Sequence, residues 1–355
     1  MSPFDHLSLF QIFVAVFLFG LSFIGLLFML KLSIKNRWFD IPIERSSHDR
    51  IVPRTAGIII AFLTLITLFL FGPIDFKHPL IIGSYCLFLV VGIYDDIKHL
   101  KASTKFWAQF IICISLAIFL PDFRINNFYG ILGLHGIPEI PSIIFSAFVF
   151  IVVINAYNLI DGIDGLALSF SIFAIFLLSS SYHDINDEIA YYGILLIAIL
   201  VPLYFFNFSD KRKMFLGDTG SLFLGTTIVL MVGYFLNSNH PMVIQCGMNR
   251  AIYALVALCY PLLDTLRVFI LRITRGQSPF LADRSHLHHK LLGIGFNHYA
   301  ATLSLLSFNV LIYLVNCVFL KQIDANAVLI ADFMLIGFFF VGGLWYTRIK
   351  SFRNH

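Results

Sequence analysis

Long apolar runs separated by short polar stretches fill the chain. An α-helix rises 1.5 Å per residue, so about 20 apolar residues cross the roughly 30 Å hydrocarbon core of a bilayer. Eleven segments fit that requirement: 7–32, 56–73, 79–94, 106–121, 141–158, 166–182, 189–206, 220–237, 250–272, 300–320 and 327–347. The third and fourth are short, which leaves their ends soft. The pattern predicts an all-α polytopic membrane protein of about eleven transmembrane helices, forming one integral membrane domain over residues 1–355. The first run, Leu7–Leu32, is too long for a signal-peptide core and lacks a small-residue cleavage site, so it reads as a retained helix.

Composition agrees. Hydrophobic residues make up 59% of the chain and charged residues 12%, whereas a soluble domain is about one quarter charged. A surface so poor in charge faces lipid. An odd number of spans puts the termini on opposite sides, and Lys and Arg then set the orientation. Of the 24 Lys and Arg, all but Lys77, Arg124, Arg250 and Lys321 fall in the 33–55, 95–105, 207–219 and 273–299 loops, at their flanking span ends, or at the C-terminus. That side is therefore predicted to be cytoplasmic and the N-terminus external. The net charge of +4 reads as topology; basic residues are not pooled, so no nucleic-acid partner is expected. Cys86, Cys113, Cys246, Cys259 and Cys317 form no CxxC pair and read as buried small hydrophobes. The outer segment 121–141 reads as turns or a small hairpin.

The polar residues that carry chemistry gather on the predicted cytoplasmic side. The first loop, Glu44 to Gly57, is basic and ends at a helix start, where Arg50 and its neighbours suit a phosphate; anchoring to the cytoplasmic leaflet is the plainer alternative. Adjacent carboxylates Asp95 and Asp96 end the third span and repel each other unless a cation or basic partner neutralises them, which suggests a magnesium or pyrophosphate site. Solvated carboxylates partnered by Lys98 and Lys101 are the alternative.

The run Asn155-Ala-Tyr-Asn158-Leu-Ile-Asp161-Gly-Ile-Asp164-Gly-Leu166 spaces Asn155, Asn158 and Asp161 on one helix face, and Asp164 joins them if the helix persists. Gly162 and Gly165 permit close backbone approach by a ligand; Asx turns capping a helix are the alternative. Asp218 and Thr219 either cap the eighth span or bring a carboxylate to a hard cation, and the two roles are compatible. The last loop holds Arg275, then His286-Leu287-His288-His289-Lys290. No Cys or nearby acidic ligand completes a zinc site, so this segment reads as a basic cradle for a diphosphate or sugar, or else as a solvated basic loop. Asp264 and Arg267, inside the ninth span, are functional candidates as intramembrane ionisable groups.

Together these segments resemble the polyprenyl-phosphate N-acetylhexosamine-1-phosphate transferases, glycosyltransferase family 4. The acidic pair resembles Asp95-Asp96. The NxxNxxDGxDGL motif is matched from Asn155 to Leu166, the FxGDxGS motif from Phe215 to Ser221, and the histidine motif by His286 to His289. The motifs fall in order between positions 45 and 290. Leu287 interrupts the histidines and Ser278-Pro279-Phe280 precede them, which is similar to the UDP-GlcNAc branch rather than the muramoyl-pentapeptide branch. One departure is Ala56 before Gly57, where the family usually has two glycines.

The resemblance implies a phosphotransferase in the bacterial inner (plasma) membrane. Its substrates would be a UDP-sugar, with GlcNAc preferred, and undecaprenyl phosphate; its products a lipid-diphospho-sugar and UMP. A UDP-N-acetyl-6-deoxyhexosamine or muramoyl-pentapeptide donor is the alternative. The implied cofactor is Mg2+, with Mn2+ as substitute. Asp218, with Asp95, would hold the ion; Asp95, Asp96, Asp161 and Asp164 would be catalytic. Arg50, Asn155, Asn158, Phe215, Arg275, His286, His288 and His289 would bind substrates, with Phe215 stacking on uracil. Oligomeric state, a homodimer included, stays open. Direct attack by the lipid phosphate is expected over a covalent aspartyl intermediate. A non-enzyme rival, an ion-coupled transporter, predicts polar residues near the midplane and on both faces.

Overall fold

The computed structural model describes residues 8–38, 52–98, 100–182, 188–238, 247–277, 285–320 and 323–338. The elements are α1 (Leu9–Asn36), α2 (Ala56–Phe71), α3 (Pro79–Lys98), α4 (Ala102–Phe119), α5 (Glu139–Ile160), α6 (Leu166–Ser180), α7 (Glu188–Leu200), α8 (Leu203–Asn207), α9 (Gly217–Asn237), α10 (Arg250–Ala257), α11 (Cys259–Thr274), α12 (Leu287–Gly293) and α13 (His298–Val315), followed by α14 (Ala325–Phe338). Within the described residues each predicted apolar segment overlaps a helix, the seventh and the ninth two of them. Among the described residues six helices, or seven with a bent pair counted as one, are long and apolar enough to cross a membrane. The shorter apolar helices are α2, most of α4, α6 and α14. The outer segment carries one antiparallel bridge, Asn127 to Gly136, as a small hairpin would.

The ninth predicted span is not one rod. Helices α10 and α11 meet at a 73° bend. Pro261 has no N–H to donate to the Ala257 carbonyl, and its ring crowds that carbonyl, so the helix breaks at Leu258. The opened backbone is satisfied by one side chain of α13. Asn309 accepts from the Tyr260 N–H at 3.0 Å and donates to the Val256 carbonyl at 3.1 Å. The cysteine expectation holds for buried Cys113 and Cys259, but Cys86 is exposed on α3 and Cys317 is disulfide-bonded. Cys246 lies outside the described residues.

Helix α9 is the axis of the bundle; every residue of its best spanning window is buried. Helices α2, α3, α5 and α6 pack around it. Glycine lets two of these neighbours come close at its start. A Cβ on Gly57 would lie 2.3 Å from the Gly220 nitrogen, and a Cβ on Gly92 would lie 2.4 Å from Thr219 Cα. The backbone of α2 then bonds directly to the turn before α9, Ala56 N–H to Phe215 O at 3.3 Å and Gly57 N–H to Leu216 O at 3.0 Å. The Ala56 departure is thus harmless, since the position that admits no side chain is Gly57. Gly57→Ala is expected to cost about 1–3 kcal/mol or more by overpacking against backbone that cannot yield, read as a lowered melting temperature of the purified protein.

Candidate functional site

The polar ends of α3, α4, α5 and α9 meet at one point. Asp95 near the end of α3, Asn158 near the end of α5 and Asp218 in the first turn of α9 surround the ammonium of Lys105 from α4. Lys105 Nζ lies 2.6 Å from Asp95 Oδ2, 2.5 Å from Asp218 Oδ1 and 3.4 Å from Asn158 Oδ1. Asn158 Nδ2 donates to Asp218 Oδ1 and, at 2.8 Å, to Ser221 Oγ. Asp95 Oδ1 also accepts from the Leu100 N–H at 2.7 Å, which fixes the turn between α3 and α4.

Asp96 does something different from its neighbour. Successive helical residues point about 100° apart, and the Asp96 carboxylate faces the start of α9. Its Oδ1 accepts from the Asp218 N–H at 2.9 Å. Its Oδ2 accepts from the Thr219 N–H at 2.9 Å and from Thr219 Oγ1 at 2.6 Å. A carboxylate on the first N–H groups of a helix satisfies donors that have no intrahelical partner and complements the helix dipole. Asp96 therefore sets the position of Asp218, with both of its own oxygens already engaged.

The turn Asp161–Gly165 joins α5 to α6 and ties three groups together. Among the described residues no hydrogen bond reaches the Asp161 carboxylate. Burial and the Asp218 carboxylate push its carboxyl well above the ordinary range, against the pull of Arg54 and with Asp96 and Asp164 adding to it. Asp164 is by contrast doubly paired through one oxygen, with Lys213 Nζ at 2.6 Å and His298 Nδ1 at 2.8 Å from Oδ2. Burial alone would raise its carboxyl; the hydrogen bonds from His298 and Lys213 outweigh burial and hold it below the ordinary value. Gly165, at φ 74°, donates to Asn207 Oδ1, and Asn207 Nδ2 donates to the Met214 carbonyl at 2.9 Å. The turn is thus clamped to the segment that leads into Asp218.

Gly162 packs on the histidine segment; a Cβ there would lie 2.6 Å from His288 Nε2. The bend at Leu258 points α11 toward this place, and Asp264 becomes its hub. The Asp264 side chain, fully buried, accepts from Arg267 Nη2 at 2.7 Å, His286 Nδ1 at 2.9 Å and the Leu287 N–H at 3.1 Å. His286 and His288 stack with ring centroids 5.4 Å apart. Asp264, His286 and His288 each offer a ligand atom within 4.8 Å of the others. Sequence distance hid the acidic partner that the histidine segment lacked. The Asp264 oxygens are nevertheless already taken by Arg267, His286 and the Leu287 N–H, so the trio works as a hydrogen-bonded hub.

Several nominated residues stand elsewhere. Asn155 turns to α4, donating to Gln109 Oε1 at 2.6 Å and to its own helix at Ile151 O, and does not join Asn158. Arg275 is exposed at the C-terminal cap of α11, and no described bond links its side chain to the cluster. Phe215 is half-buried with Lys213 Nζ 5.6 Å above its ring. His289 lies beside His288, ring centroids 4.3 Å apart. Arg50 and Ser278-Pro279-Phe280 lie outside the described residues. Lys105, Lys213 and His298 were missed; only their basic character near a predicted loop could have flagged them.

A hard cation fits these donors. The Asp95 and Asp218 carboxylates and the Asn158 amide oxygen are all oxygen ligands, and a protein cation, Lys105, already stands among them. His288 is buried, and burial, with His289 adding to it, holds its imidazole well below the ordinary value. An unfolded imidazole titrates near about 6.5. Below that pH the unfolded chain binds a proton that the folded chain refuses, so this contribution to stability is full above about 6.5 and falls as pH drops. The melting temperature is expected to decline from pH 7.5 to 5.5, and to decline less in His288→Asn, by roughly the share one titrating group carries.

The sequence model of glycosyl transferase family 4 matches residues 78–235, a stretch that holds both acidic motifs and the asparagine-aspartate run. The undecaprenyl-phosphate alpha-N-acetylglucosaminyl 1-phosphate transferase of Pasteurella multocida is 32% identical over 286 residues, covering 77% of this chain and 76% of that protein. A probable undecaprenyl-phosphate N-acetylglucosaminyl 1-phosphate transferase of Bacillus subtilis is 28% identical over 91% of this chain and 90% of its own. The Escherichia coli K12 transferase of the same name as the first is 26% identical over 80% of this chain and 76% of its own.

Proposed function

The chain belongs to glycosyl transferase family 4, and on that premise we propose that it transfers GlcNAc-1-phosphate from UDP-GlcNAc to undecaprenyl phosphate, releasing UMP. The observation that carries this reading is the convergence of Asp95, Asn158 and Asp218, from three helices, on one point at the end of the bundle. A lipid phosphate carries its charge at the membrane surface and its tail in the hydrocarbon. A polar site at the end of apolar helices is where such a phosphate and a water-soluble nucleotide meet. The excess of Lys and Arg in the loops at this end supports its reading as the cytoplasmic face of the inner membrane, with eleven crossings and the N-terminus outside.

Phosphoryl transfer depends on in-line positioning and charge neutralisation more than on covalent help. Asp218 and Asp95, with Asn158, would hold a divalent cation, Mg2+ or Mn2+, with the Asp161 carboxylate near Asp218, and such an ion would supply positive charge at the donor diphosphate. Lys105, Arg54 and Lys213 add positive charge around the same place. Asp95 orients the acceptor phosphate; a monoester with a second pKa of about 6 is largely a dianion at neutral pH and needs little deprotonation. Asp96 and Asp164 hold the frame, Asp96 through the start of α9 and Asp164 through Lys213 and His298. Phe215 offers a ring to the uracil. His288 seats the Asp161–Gly165 turn, and His286, oriented by Asp264, faces the sugar-phosphate side with His289. Attack by the lipid phosphate on the donor is direct.

The test is release of UMP by purified protein in lipid nanodiscs. We expect release from UDP-GlcNAc only when undecaprenyl phosphate and Mg2+ are both present, and a panel of UDP-sugars then ranks the donors. No release from folded protein under those conditions would sink the reading. Accumulation of a sugar-phosphate bound to protein in the absence of lipid would replace direct attack by a covalent route.

A further inference from the structure

Lys105 belongs to none of the motifs, yet its ammonium stands where three helices aim their oxygens. Asp95 Oδ2 comes from α3, Asp218 Oδ1 from α9 and Asn158 Oδ1 from α5, and all lie within 3.4 Å of Nζ. Little of the Lys105 side chain is exposed, and Asp95 and Asp218 are similarly enclosed. Two enclosed carboxylates need a positive charge close by, because leaving them unpaired costs several kcal/mol per ion. Such converging oxygens are also the donor set a hard divalent cation takes. An ammonium and a divalent cation cannot occupy one point together.

We propose that the Lys105 ammonium is a built-in placeholder for the divalent cation. It neutralises Asp95 and Asp218 in the empty enzyme, and the ion binds by displacing it. The inference rests on the reading of Asp218 as an ion ligand. Two consequences follow from mass action. The empty protein holds the ion more weakly than its oxygens alone would, because binding first breaks two short ion pairs. The displaced ammonium then needs an anion, which a phosphate group of the substrate supplies, so ion and anionic substrate favour each other's binding by the same factor.

The experiment is titration of the purified, substrate-free protein with Mn2+, followed by electron paramagnetic resonance of the free ion. Removing the competing ammonium in Lys105→Met should tighten Mn2+ binding by about tenfold or more, within the usual range of coupling between competing ligands. Asp218→Asn should abolish that binding in either background. Equal or weaker binding by Lys105→Met, with the Asp218 dependence intact, would overturn the placeholder role and leave the proposed function standing. Binding that ignores Asp218→Asn would overturn the ligand assignment and the placeholder together. A second measurement needs no variant. Acylation of Lys105 in the wild-type protein by a small activated ester, read by mass spectrometry, should speed up when Mn2+ is added; unchanged or slower labelling would overturn the inference.

Discussion

Asp218→Asn is expected to lower turnover by about 10³-fold while the protein stays folded. The substitution changes almost no shape. The main chain at this position is held from outside, by the Asp96 carboxylate on the Asp218 and Thr219 N–H groups, so the side chain starts from the same place. An asparagine oxygen still accepts from Lys105 and Asn158. What is lost is one unit of negative charge facing the reacting phosphates, and with it the site's grip on a divalent ion. Removing one preorganised electrostatic contributor typically costs about 10²–10³ in turnover, and each factor of ten is about 1.4 kcal/mol of barrier. The check is UMP release at saturating UDP-GlcNAc and lipid phosphate, beside a melting curve. A loss below about tenfold with an unchanged melt would remove Asp218 from the reaction centre.

The largest expected effect on stability is at Asp264→Ala. This carboxylate is fully buried and accepts from Arg267, His286 and the Leu287 N–H. Its removal takes from the enclosed Arg267 guanidinium the carboxylate that it pairs with at 2.7 Å. Breaking one partner out of a buried ion pair costs about 3–5 kcal/mol, and the start of α12 loses its anchor as well. We expect a much lowered melting temperature and, in whatever folds, a histidine segment that no longer seats on Gly162. Asp264→Asn keeps the volume but offers one acceptor oxygen where two were used, so its loss should be smaller. Equal melting of wild type and Asp264→Ala would show that the hub carries no weight.

The helices were legible because each needs a long apolar run, and such runs survive without knowledge of the partners. Their lengths were less legible. The 250–272 segment is largely apolar, and hydropathy does not register that Pro261 breaks it; the repair by Asn309 comes from 49 residues away. The acidic motifs announced Asp95, Asn158, Asp161 and Asp218, because carboxylates and amides at span ends are costly without a purpose. The division of labour among them was not visible. Asp95 and Asp96 are adjacent in sequence, yet one meets Lys105 and the other caps α9. Asn155 and Asn158 share a face by spacing, but the residual angle of about 60° between them sends Asn155 to Gln109. Lys105, Lys213 and His298 escaped because each is one ordinary basic residue whose meaning lies in a partner 10, 49 and 134 positions distant.

Helix α9 has no lipid-facing side along its span, although α1, α4 and α5 expose rows of large apolar residues. Bilayers differ in thickness, and helices in contact with lipid answer by tilting or by stretching the local membrane. An inner helix has no such contact to answer to. Asp218 hangs from a strut that is wrapped wholly in protein, so changes in the surrounding lipid are absorbed by the outer ring. The reacting end is carried like an axle inside a flexing rim.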